Sequence, residues 1–113
     1  MVLDTAHLLA KQLRDSAEYA AFVQAREIAM ENDTTKSLIN EYHRLQIQAQ
    51  AASMSGQGNE ALLDKLKKVG EVLQFDADAS KFLFAEFRLN QLLGDVYKIL
   101  ADAIDIDLGA LES

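Results

Sequence analysis

The sequence predicts an all-α fold, an antiparallel bundle of about five helices that associates as an oligomer, with two long helices at about 34–55 and 79–105. Three observations predict it. The 113 residues contain no proline and only five glycines, so residues that interrupt helices are scarce while Ala, Leu, Gln, Glu and Lys are plentiful. Apolar residues recur at spacings of three and four, and no stretch alternates as a half-buried strand would. Two of the helices also carry apolar residues on more than one face, which is the mark of a helix covered from two sides.

Each element follows from local signals. Asp4 reads as the N-cap of a first helix, with Leu3 and Leu8 placed as a hydrophobic staple and Ala6, Leu9, Ala10 and Leu13 as its stripe. Asp15-Ser16 starts a second helix, with Glu18 completing a capping box, and it runs to about Asn32 with Tyr19, Phe22, Val23, Ala29 and Met30 on one side. Asn32 to Thr35 closes it and caps a third, which spans about 33 Å at 1.5 Å per residue. The loop SMSGQGN follows, with Gly56 suited to the position after the helix and Asn59 capping a fourth helix to about Gln74. That helix carries Leu62, Leu66, Val69 and Leu73. Asp76 and Asp78 offer caps for the fifth, whose main stripe is Phe82, Leu89, Leu93, Val96 and Leu100, widened by Leu92, Ile99 and Ile104.

Length and composition set further bounds. One domain over residues 1–113 is expected, with a short flexible tail at 106–113. With 50% hydrophobic, 26% charged and 7% aromatic residues, the chain is neither disordered nor membranous in composition. A net charge of −7 argues against direct nucleic-acid binding, and Lys65, Lys67 and Lys68 read as a solvated helix face. The chain has no cysteine, which removes disulfides, thiolate nucleophiles and cysteine-bound clusters. No basic leader precedes an apolar run at the N-terminus, and no run is long enough to insert into a membrane. The expected location is cytoplasmic.

The third helix is the most informative. Leu38, Tyr42, Leu45, Ala49 and Ala52 form one narrow seam at a/d spacing. Ile39, His43, Ile47, Ala51 and Met54 form a second, weaker strip on the other side. On the fifth helix Phe84 lies nearly opposite Phe82, and Phe87 is also off the main stripe. Ile39, His43, Ile47, Met54, Phe84 and Phe87 are therefore the expected interface residues. The alternative is that they pack inside an irregular monomer.

No chemistry competes with this reading. His43 has no His, Asp or Glu three or four residues away, and Glu41, two residues off, points elsewhere on the helix. His7 has no carboxylate at i+4. The Glu-x-x-His pairs of di-metal bundles are missing, as are phosphate-cradling and nucleophile motifs. No catalytic residue, metal site or cofactor is expected. Arg26 and Glu86 are charges set within or beside apolar stripes. A salt bridge between them, with charged groups within about 6 Å, would tie the second helix to the fifth.

The order A-x-x-L-x-x-x-L, then S-A-E-Y-x-x-F, then K-S-L-I-N-E-Y-x-x-L-Q after an acidic break, then F-A-E-x-x-L-N-Q-L-L-G-D-V, resembles the YlbF/YmcA/YheA family of small helical bacterial proteins. The match runs from about Leu3 to Ile104, and the chain looks most like the short, cysteine-free branch. The resemblance implies a long-helix protein that associates with itself or with relatives. It also implies a setting: some members regulate competence, sporulation and biofilm formation through a complex that adjusts RNA processing. Iron–sulfur ligation, which some members support with cysteines, does not carry over. The expectation is a non-enzymatic interaction or regulatory protein whose partners are itself and/or other proteins, including relatives. A small-molecule- or metal-binding bundle or minor enzyme is the alternative.

Overall fold

A computed structural model describes residues 1–56 and 58–105, so the expected tail at 106–113 lies outside the described residues. These residues form five helices, α1 (Val2–Arg14), α2 (Ala17–Met30), α3 (Asp33–Met54), α4 (Glu60–Gln74) and α5 (Ala77–Ile104), and no strand. The two long helices are α3 and α5, of 22 and 28 residues.

The caps explain the boundaries, and two differ from expectation. The first helix starts at Val2, so Asp4 stands in its first turn instead of capping it; its carboxylate accepts from the N-terminal ammonium at 3.0 Å. Leu3 then lies inside the helix, and with Leu8 is exposed, so the staple does not form. Ser16, not Asp15, caps α2: its hydroxyl accepts from the Tyr19 N–H at 3.2 Å and donates to the Leu13 carbonyl at 2.6 Å. A serine hydroxyl can do both at once, whereas a carboxylate can only accept. Asn32 and Asn59 cap α3 and α4 as expected, accepting from the Thr35 and Leu62 N–H groups at 3.1 and 3.2 Å. Gly56 follows α3 with φ of +76°, the left-handed conformation that favours glycine. Asp76 caps α5 by accepting from both the Asp78 and Ala79 N–H groups at 3.1 Å.

The contacts divide into two compact units, one of Met1–Val23 with Phe84–Ser113 and one of Gln24–Leu83. In the second unit α3 and α4 pack along each other in opposite directions, the start of α4 near the end of α3. This unit holds the largest fully buried side chains, Ile39, Leu45 and Leu73, together with Ala29, Ala79 and Phe82. Its buried polar group, Thr35, donates its hydroxyl to the second carboxylate oxygen of Asp76, so one side chain caps α5 and fastens the first turn of α3. Ser80 donates to the Leu73 carbonyl at 3.0 Å, binding the end of α4 to the start of α5.

Gly70 sits mid-helix in α4, where an added Cβ would lie 3.6 Å from the Tyr42 ring. That is ordinary van der Waals contact. Gly70→Ala is therefore expected to raise stability by about 0.5–1 kcal/mol through lower unfolded-chain entropy, read as a higher midpoint in urea.

The other unit is built differently. Its α1 has no buried residue, and in its share of α5 the buried residues are the alanines Ala85 and Ala101. Tyr19 and Phe22 meet as a tilted ring pair at 6.5 Å.

Candidate interaction surface

The segment Tyr42-His43-Arg44 shows how α3 is covered. Tyr42 faces α4 at Gly70. One residue on, and about 100° round the helix, His43 meets the Phe82 ring edge-on, with centroids 6.1 Å apart and planes at 63°. Arg44 turns outward and pairs with Glu41, its Nε donating at 3.1 Å and Nη2 closing the second bond of the fork. That hydrogen bond, more than any other influence, holds the Glu41 carboxyl below its usual range. The pair is solvent-exposed, so it adds little to stability.

The second strip of α3 therefore splits. Ile39 is fully buried and His43 half-buried against α5's first turns, which removes Ile39 from the set available to a partner and gives His43 a packing contact inside the chain. Both sit in the half of the strip nearest the Thr35–Asp76 bond, where the start of α5 covers α3. Further along, that cover ends. Ile47 and Met54 are 68% and 71% exposed.

Phe84 and Phe87 are 64% and 63% exposed, as their position off the main stripe of α5 predicts. The last turns of α5 add Ile99, Leu100 and Ile104, and α1 adds Leu3 and Leu8, all more than half exposed. The sequence pattern sets Ile99, Leu100 and Ile104 in the main stripe of the fifth helix or its widening, and Leu3 and Leu8 in a staple. A signal was present: Ile99, Leu100 and Ile104 spread over an arc wider than one neighbour covers.

Arg26 is exposed at the edge of α2 and Glu86 is half-buried in α5; the first lies in the unit of α3 and α4, the second in the other. His7 is exposed. Among the described residues no cluster of three or more His, Cys, Asp and Glu is placed to hold a metal ion. A groove of about 280 Å³ opens between the end of α3 and the start of α4, walled by Ala49, Ala52, Leu62 and Leu63. Its polar side chains are Ser53 and Asn59, and Asn59 is engaged in capping α4. No described helix is long and apolar enough to cross a membrane.

Comparison with known proteins agrees with this architecture. The chain is 38% identical over 106 residues to a UPF0342 protein of Symbiobacterium thermophilum, covering 93% of this chain and 95% of that one. It is 29% identical to a UPF0342 protein of Halothermothrix orenii, over 93% and 90% of the two chains. The crystal structure of Bacillus subtilis RicA in complex with RicF has the same fold, with a TM-score of 0.61 at 16% identity, covering 92% and 93% of the chains. The family described as control of competence regulator ComK, YlbF/YmcA, matches residues 2–105. With that family matching almost the whole chain, and a relative 38% identical across 93% of it, the chain belongs to the YlbF/YmcA family.

Proposed function

We propose that this chain is a non-enzymatic, cytoplasmic interaction protein that self-associates and joins other proteins, including relatives, as a regulator of cell fate. The observation that carries the reading is the exposure of Ile47, Met54, Phe84 and Phe87, each more than three-fifths accessible. Large apolar side chains left this exposed on a small protein mark contact sites, and aromatic anchors supply most of the binding energy at such sites. The solved relative RicA was captured with a protein partner, RicF, which supports the same mode of action here. With a net charge of −7, the chain repels phosphate backbones, so any link to RNA processing runs through a protein partner.

Phe84→Asp and Ile47→Asp test this. Each places a charge on an exposed apolar spot and leaves the buried core untouched. The mass of the chain in solution, read by light scattering, is expected to fall for each variant while helicity by circular dichroism stays unchanged. Retention of the wild-type mass by both variants would refute these two strips as contact surfaces.

A further inference from the structure

Along α5 one face is exposed at every turn, and its charges are sorted. Phe84, Arg88, Gln91, Asp95 and Ile99 recur at spacings of four, three, four and four, and all are exposed. Such spacing holds residues on one side of a helix. Its N-terminal part carries a cation, its C-terminal part an anion, and a large apolar side chain stands at each end. Neither Arg88 nor Asp95 has an ion-pair partner among the described residues. Seven residues separate them, about 10 Å along the axis, so they do not satisfy each other.

A face ordered in this way is complementary to itself when reversed. We infer that two copies of this chain pack through α5 in antiparallel fashion, with a two-fold axis beside Gln91, so that Arg88 of each copy meets Asp95 of the other. The inference rests on the self-association proposed above and specifies its partner, face and register. Reversal about the point between Gln91 and Leu92 brings Phe84 level with Ile99 of the second copy, which is 68% exposed in the chain, and sets the two Gln91 side chains on either side of the axis. Each contact occurs twice, as a two-fold interface requires. A parallel pairing in register would oppose Arg88 to Arg88 and Asp95 to Asp95. It would also align the two helix dipoles, both unfavourable.

Charge reversal and charge exchange on the full chain test it. Arg88→Asp and Asp95→Arg, made singly, each turn two attractive contacts per dimer into repulsive ones, and dimerisation is expected to weaken about tenfold or more. The double variant Arg88→Asp with Asp95→Arg restores opposite charges across the axis and is expected to recover wild-type affinity. Because the chain lacks cysteine, Gln91→Cys adds a single thiol, and a short bis-maleimide is expected to link it into a covalent dimer. Single reversals that leave the association constant unchanged, or a double variant that fails to recover it, overturn this register while self-association stands. A wild-type chain that is monomeric overturns both.

Discussion

Ile39→Ala is expected to destabilise the chain by about 3 kcal/mol, read as the shift in a urea unfolding curve. Ile39 is fully buried, and truncating it removes apolar contacts and leaves a cavity that α3, held by both α4 and α5, cannot easily close. An Ile39 facing a partner would instead give loss of association with little loss of subunit stability. The same truncation at Ile47, 68% exposed, is expected to shift the unfolding of the isolated subunit by less than about 0.5 kcal/mol. Comparing the two variants separates core from contact surface along one helix.

Asp76→Ala is expected to cost about 2–4 kcal/mol. It deletes the cap of α5, a loss of about 1 kcal/mol, and leaves the Thr35 hydroxyl, 3% exposed, without its carboxylate acceptor. Thr35→Val keeps the shape of the side chain and leaves Asp76 capping α5, so a smaller loss of about 1–2 kcal/mol is expected. The same site confers a pH dependence. The Thr35 hydroxyl above all, then the Ala79 N–H, hold the Asp76 carboxyl below its usual range; burial opposes them, and the Asp78 N–H adds the least. The unfolded chain thus binds this proton more readily than the folded one. The group's stabilisation is complete above the unfolded value, near about 3.9, and is lost as pH falls through the lower folded value. Asp76→Asn, which preserves a capping side chain, is expected to flatten the acid limb of the stability profile.

How far the fold can be read from sequence depends on whether the signal is local. Asn32, Asn59, Gly56 and Asp76 act within a few residues of themselves, and each terminates or starts its helix as the sequence implies. Asp4 fails because an acidic residue near a helix start serves equally well in the first turn, where the dipole also favours it; Asp15 fails because it ends α1 and leaves the cap of α2 to Ser16. The division of the second α3 strip is not local at all. Ile39 and Ile47 have the same chemistry and share a helix face; which one is covered depends on where α5 begins to cross, and Thr35 and Asp76 fix that point from 41 residues apart. The exposed aromatics were legible because Phe84 stands opposite Phe82, which is buried, and no single neighbour covers both sides of a helix. The exposed end of α5 was missed because a continuous stripe does not reveal where its cover stops.

A second copy of the chain is expected to cover apolar surface left open on α3 and on α5. Sedimentation equilibrium of the unmodified protein at micromolar concentration tests it most directly. A mass of at least twice 12.5 kDa is expected. A single species of 12.5 kDa across the accessible concentration range would contradict it.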